Sequence, residues 1–253
     1  MNFKYAFTYV IGYRHNMERF KNLKRVLDWI GGFSNVEVLL IEQDTHSKIS
    51  HLNLGVKHIF IKSKMPYNRS WAFNVAINYC NSPVIVFSDS DLIMDPSDFI
   101  NGLNSLHDYE MISPYHTVID LTREESNLPF DKILEIKRAG RGETDHQKIN
   151  IAGGISMFRL DSIKKIAGWN EDFWEWGGED DFQAIKIKNF LSWTELNARC
   201  YHLYHERRMP DQKWYKRNLQ ILQKASQIDK SQLEKVITNQ MSKIGMKNKC
   251  DNF

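Results

Sequence analysis

The sequence predicts an α/β protein with a doubly wound, mainly parallel sheet and a helical C-terminal extension. Three observations predict it. Short runs rich in aromatic and β-branched residues alternate with longer segments of helical periodicity through the N-terminal half. The most apolar run is followed directly by acidic residues, as in open sheets that bind ligands beyond their C-terminal strand ends. Past residue 208 two polar helical patterns, rich in lysine, take over.

The elements follow in order. Residues 4–11 (KYAFTYVI) read as a first buried strand, and 12–16 as a loop. Met17, Phe20, Leu23, Val26, Leu27 and Ile30 then recur at helical spacing until Gly31 and Gly32 end the helix. Residues 36–41 (VEVLLI) form a second strand with Glu42, Gln43 and Asp44 at its end, and 56–61 a third. Residues 69–80 are an amphipathic helix with Trp71, Ala72, Val75, Ala76 and Tyr79 on one side. Pro83 opens the fourth strand, 84–87 (VIVF). Asp95 starts a helix over 96–106, and 110–113 is a short strand. The stretch 114–150 carries little periodicity, and its polar segment 138–143 reads as a mobile loop. Residues 155–159 return to strand character, Asp161 caps a short helix to Ile166, and 194–200 are a last strand. Residues 211–224 and 229–243 are polar helices, read as a solvated or docking face.

Composition narrows the class. With 253 residues, 42% hydrophobic and 26% charged, the chain is an ordinary globular protein with room for a substantial core. A net charge of +3 does not argue for nucleic acid. Cys80, Cys200 and Cys250 are widely spaced, which predicts free thiols in a reducing compartment. Lys4, Arg14, Glu18 and Arg19 interrupt the first twenty residues, so neither a signal peptide nor a membrane span is expected, and the expected location is cytoplasmic.

Three stretches carry chemistry. The densest is residues 168–181 (GWNEDFWEWGGEDD), with three tryptophans and six acidic residues in fourteen positions. Indoles beside glycines suit the apolar face of a sugar ring. Glu179, Asp180 and Asp181 stand at a helix N-terminus, where they can cap it or accept protons from a hydroxylated substrate. Directly after Phe87 come Asp89 and Asp91, a pair suited to a divalent cation bridging phosphate oxygens, although an Asx-turn would use the same residues. His202 and His205 are three apart, and with Asp91 they can share one ion.

Taken together, residues 87–93 (FSDSDLI), 153–156 (GGIS), 168–169 and 176–181 (WGGEDD) resemble the β-1,4-galactosyltransferases and the related bacterial capsule and chondroitin-type transferases. The likeness extends to residues 13–14, 41–43, 67–69 and 200–207 and runs in order through most of 5–208. That resemblance implies a GT-A fold and an inverting, metal-dependent transferase using UDP-sugars. It implies that Asp91 and His205 ligate the metal, with His202 beside them where animal members often carry methionine. Asp89 falls near the donor's ribose or sugar, Arg14 and Arg69 at the diphosphate, and Asp44 at the uracil. Gly178 also falls on the donor side. Asp180 falls at the catalytic base with Glu179 as its neighbour, and Trp174, Trp176 and Asp181 fall at the acceptor.

The resulting expectation is a catalytic domain over 1–208, with a nucleotide-binding half (1–113) and an acceptor and catalytic half (114–208), followed by a helical extension over 209–253. The cofactor is a divalent metal, manganese first and magnesium second. The donor is a UDP-sugar carrying a hexose, N-acetylhexosamine or pentose. The acceptor is a glycan or another hydroxylated molecule, in a bacterial or viral setting. Like charges at Glu179 and Asp181 are expected to raise the pKa of Asp180, and residues 203–214 to close over the donor. The alternatives are a non-catalytic sugar- or nucleotide-binding module and a transferase acting on a hydroxylated nucleic-acid base. A metal-dependent phosphodiesterase or nuclease is a third, and it leaves the Trp-Gly-Gly stretch unexplained.

Overall fold

The computed structural model describes residues 6–143, 149–206 and 209–247. Cys250 and Arg207, both used above, lie outside them, as does the start of the expected first strand. The chain runs β1 (Phe7–Tyr13), α1 (Met17–Ile30), β2 (Val36–Asp44), β3 (Lys57–Lys62), α2 (Arg69–Ile77), β4 (Val84–Ser88), β5 (Leu92–Met94) and α3 (Pro96–Ser105). It continues through β6 (Met111–Ser113), β7 (Thr117–Asp120), a short 3-10 turn at Glu125–Asn127, α4 (Phe130–Leu134), β8 (Ser156–Arg159) and α5 (Leu160–Lys165). Then come α6 (Glu179–Phe190), β9 (Trp193–Glu195), β10 (Arg199–His202), α7 (Gln212–Gln227) and α8 (Lys230–Met241).

The main sheet has the order β3-β2-β1-β4-β8-β6-β9. Its first four strands are parallel, and β8 enters antiparallel to both β4 and β6. Both faces are covered, which is why β1 and β4 read as continuous apolar runs. Along β1, Tyr9 and Ile11 point to the layer of α1 and α3, with Trp29 and Phe99, while Val10 joins Trp71 and Phe73 of α2 on the other side.

A second sheet, β5-β10-β7, gives the fold its working edge. Strand β10 pairs antiparallel with β5 and parallel with β7, placing His202 opposite Leu92 on one side and Asp120 on the other. The expected single strand over 194–200 is therefore two strands in different sheets. Leu196, Asn197 and Ala198 separate β9 from β10, and across that break the chain passes from pairing with β6 to pairing with β7.

Three further expectations are corrected. Helix α2 is not amphipathic, because all nine of its residues are buried, Arg69, Ser70 and Asn74 included. Arg69 and Asn74 have partners: the guanidinium reaches Asp89 and Asp180, the Asn74 amide donates to Trp169 O and to Glu171, and the backbone of 245–246 closes over the helix, with Trp71 Nε1 donating to Met246 O at 2.7 Å. Asp161 sits inside the first turn of α5 and does not cap it; its carboxylate accepts from Ser162 N at 2.7 Å. Residues 138–143 are pinned rather than loose, since Arg138 pairs with Glu125 and Arg141 exchanges backbone hydrogen bonds with Val118.

The C-terminal helices form as expected. Asp211 caps α7, Asp229 closes a capping box on α8, and Ala225, Leu233 and Ile237 pack with Phe173 and Phe182. Among the described residues Cys80 and Cys200 are free thiols, and no helix is long and apolar enough to cross a membrane.

Candidate active site

Arg69 is the first residue of α2, and its position is set by Asn68 before it. Asn68 caps the helix by accepting from Trp71 N at 2.8 Å, while its own N–H donates to Gln43 at the end of β2. The guanidinium lies over both the Phe73 and the Trp169 rings, 4.6 and 5.2 Å from their centres. Its Nε donates to Asp89 at 2.7 Å, Nη1 to Asp180 at 2.5 Å and Nη2 to Gly154 O at 3.3 Å. Burial opposes its charge, but Asp180 and Asp89 outweigh that and hold its pKa above the ordinary arginine value.

Asp180 arrives from the other direction, in the first turn of α6. The turn into α6 needs glycine: Gly178, its N-cap, has φ 90°, and a Cβ there would meet Phe173 at 2.9 Å. Gly153 is close as well, since a Cβ on it would lie 3.2 Å from the Asp180 carboxylate. Burial raises the pKa of Asp180, with Asp89 and Asp181 adding to it against the pull of Arg69. Burial, and then Asp180, raise Glu179 in the same way. Desolvation is thus the main cause for both, ahead of the like-charge repulsion expected from sequence. Glu179 accepts from Gly177 N, and Asp181 accepts from Asn150 at 2.8 Å.

The second half of the site sits where the two sheets meet. Asp89 and Asp91 lie in the link between β4 and β5, His202 ends β10, and His205 follows in coil. One donor atom each from Asp91, His202 and His205 lie within 4.8 Å of one another. His205 Nε2 is 3.4 Å and His202 Nε2 3.8 Å from the Asp91 carboxylate. Asp120 at the end of β7 takes His202 Nδ1 at 2.9 Å and is gripped by Arg141 through two contacts, 2.9 and 3.1 Å. The pKa of Asp120 lies below the carboxylate range: burial opposes its charge, but His202 and Arg141 prevail.

The remaining expected residues are spread along the same edge. Arg14, just past β1, donates to Met65 O, and Asp44 ends β2, accepting from Thr45 N. Neither touches the Arg69 or Asp91 groups. Trp174 packs edge-on against Trp71 and is tilted on Trp214, whereas Trp176 is 64% exposed and stacks on Tyr215 of α7 at 5.8 Å.

Sequence reading missed Asp120 and Arg141. A signal existed for Asp120: Thr117, Val118 and Ile119 are a short β-branched run ending on a carboxylate. It lay inside the stretch without readable periodicity.

The family model for the N-terminal domain of galactosyltransferase matches residues 144–206, which include the acidic turn and both histidines. The beta-1,4-galactosyltransferase 5 of Danio rerio is 29% identical over 120 residues, 46% of this chain and 25% of that protein. The Homo sapiens protein of the same name is 25% identical over 128 residues. The chain spans about a quarter of the length of these relatives. Among solved structures, the catalytic domain of Drosophila beta1,4galactosyltransferase 7 in complex with xylobiose superposes with a TM-score of 0.55 at 16% identity, covering 89% of this chain and 82% of that one. GalNAc-T7 with UDP, GalNAc and Mn2+ gives a TM-score of 0.60 at 13% identity, covering 94% and 54%.

The chain has the GT-A fold. A GT-A sheet accounts for the antiparallel β8 inside an otherwise parallel run, and for the small sheet that carries Asp91 and His202 to the same edge as Asp180.

Proposed function

We propose that the protein is a metal-dependent, inverting glycosyltransferase that moves a sugar from a UDP-sugar to an acceptor hydroxyl. The observation that carries this reading is the link from Asp180 through Arg69 to Asp89, two residues from the Asp91, His202 and His205 cluster. A proton acceptor and a cation-binding set so joined suit a reaction that makes a nucleophile at one point and an anionic leaving group at another.

The donor set fits a divalent cation. One carboxylate and two imidazoles can hold a first-row divalent ion, the Mn2+ in the GalNAc-T7 structure supports manganese, with magnesium second, and Asp120 on His202 Nδ1 is the outer partner that metal-bound imidazoles use. Once held there, the ion would neutralise charge on the diphosphate.

The chain's own residues do the rest. Asp180 accepts the proton of the acceptor hydroxyl as it attacks the anomeric carbon from the face opposite UDP; its raised pKa makes it a stronger base. Arg69 holds that carboxylate and Asp89 in fixed relation. Glu179 supports the turn through Gly177. Arg14, Asp44, Asp89 and Gly178 form the donor side, and Trp174, Trp176 and Asp181 the acceptor side. In this reading residues 1–113 serve the nucleotide and 114–208 the acceptor and catalysis. The relatives' names, which are galactosyltransferases, and the UDP and Mn2+ in the GalNAc-T7 structure support the same donor chemistry.

The test is hydrolysis of a panel of UDP-sugars with and without manganese, alongside thermal-shift measurements on the same panel. Manganese-dependent release of UDP is expected from one sugar above the rest. No turnover and no shift with any nucleotide sugar would remove the reading.

A further inference from the structure

Glu42, two residues before the end of β2, is fully buried. Its carboxylate accepts from Ser47 Oγ at 2.5 Å and Lys48 N at 2.7 Å, and His58 Nε2 of β3 lies 3.0 Å from it. Ser47 Oγ in turn accepts from Ser50 N at 3.1 Å, and Ile49 beside it is buried in the core. The chain that leaves β2 at Asp44 therefore comes back to β2 within four residues and is fastened there. An apolar side chain would hold the strand as well as a buried carboxylate does, without the desolvation. What the converging donors add is one fixed conformation for the turn 44–48.

That turn stands on the ligand edge of the sheet. Strands β4, β1 and β2 are parallel neighbours, so Asp91, Arg14 and Asp44 follow one another across the edge. Two strand spacings, about 10 Å, separate β4 from β2. A ribose bridges a gap of that size, between a diphosphate at the Asp91 end and its base at the Asp44 end. Asp44 lies on the same face of β2 as Glu42. Its Oδ1 accepts from Thr45 N of the turn at 2.7 Å, and its backbone O accepts from Ser63 N at 2.8 Å. An ionised carboxylate accepts and never donates. It matches a base with a ring N–H, as uracil has at N3, and opposes cytosine, which has a bare nitrogen there.

We propose that Glu42 is a positioning residue for base recognition: by closing the turn 44–48 it holds the Asp44 carboxylate against the N–H of the base, and so sets a preference for uridine over cytidine nucleotides. The proposal rests on the transferase reading and adds to it the group that sets nucleotide choice.

The probes are UDP, CDP and inorganic pyrophosphate, each titrated calorimetrically into the full chain with manganese. Wild type should bind UDP about tenfold or more tighter than CDP, the worth of one hydrogen bond to a charged group. Glu42→Gln turns an acceptor oxygen into a donor facing donors. It should erase most of the preference for UDP and leave pyrophosphate affinity unchanged, which a general loss of structure would not do. Asp44→Ala should have the same effect, and the double variant should lose little more, because Glu42 acts through Asp44. Ser47→Ala, in the half-buried turn, should give a smaller loss in the same direction; it decides the matter if Glu42→Gln does not fold. An unchanged ratio of UDP to CDP affinity in these variants overturns the proposal. So does an equal fall for all three probes, or a double variant in which the losses simply add. Manganese-dependent UDP-sugar hydrolysis by the wild type is run in parallel. If it is present without a preference for UDP over CDP, base recognition by this turn alone has failed; if it is absent and UDP does not bind, the transferase reading has failed as well.

Discussion

Arg69 meets Asp89 and Asp180 at 2.7 and 2.5 Å, while Asp91 faces two imidazoles at 3.4 and 3.8 Å. The first group carries its own cation, a guanidinium stacked on Phe73 and Trp169 and anchored by a buried helix. The second gathers three donors at the junction of two sheets, and its positive charge has to come from outside. Removing a member should therefore do different things in the two groups. In the Arg69 group it leaves a buried charge without its partner or changes a proton affinity. In the Asp91 group it changes how well a cation is held, at little cost to the fold.

The largest effect expected is for Asp91→Ala. Losing the carboxylate leaves two imidazoles to hold the ion, and manganese-dependent UDP affinity should fall by more than about 100-fold. The backbone bond from Leu203 N to Asp91 O survives the change, so the melting temperature without metal should stay near wild type. Calorimetry showing unchanged UDP affinity and unchanged manganese dependence would sink the assignment.

Next is Asp180→Asn, which keeps the side-chain shape but cannot take the proton. Turnover should drop on the order of 10²–10⁴-fold with little change in UDP-sugar affinity. Glu179→Gln is the control and should cost less. If the two results are reversed, the base is Glu179. The pH profile gives a second check. The base works ionised and its pKa is raised by burial, so activity should be lost on acidification at a pH above the usual carboxylate range. An acid limb at an ordinary carboxylate value would contradict the buried setting of Asp180.

Smaller again is Asp120→Asn. The amide still reaches His202 but no longer bears the charge that orients and polarises the ring. Manganese affinity should fall about 10- to 100-fold, with rates restored at saturating metal. Failure of excess manganese to restore the rate would mean that Asp120 acts on the fold or on the substrate.

The same contrast explains what the sequence made legible. Strands β1 and β4 are buried on both faces, so their apolar runs stand out, and Asp89 and Asp91 stand out because they follow directly on β4. The acidic turn was legible because tryptophans, glycines and carboxylates occur together there. Helix α2 was misread as amphipathic because the groups that bury its polar side, Trp169, Glu171 and the backbone of 245–246, lie more than ninety residues away in sequence. Asp120 and Arg141 were missed for a related reason. Their role exists only through the pairing of β10 with β7, and strands of three or four residues carry too little periodicity to announce such a pairing.

The smallest expected effect, and the finest test of the comparison, is His202→Met. Methionine offers a thioether in place of an imidazole, and a soft sulfur donor beside Asp91 and His205 should change which cation works best. The change should leave the fold intact, because His202 is a strand-end residue whose backbone pairing with Leu92 and Asp120 does not depend on its ring. Asp120 loses its contact with the imidazole but keeps Arg141 at 2.9 and 3.1 Å, so no carboxylate is stranded. Activity measured across manganese, magnesium and cobalt should therefore be reordered, with a shift of a few-fold in relative rates and an unchanged melting temperature without metal. Identical profiles in the two proteins would remove His202 from the ligand set. The Asp120–His202 contact would then be an ordinary half-buried ion pair, and its loss should instead appear as slightly lower stability whether or not metal is present.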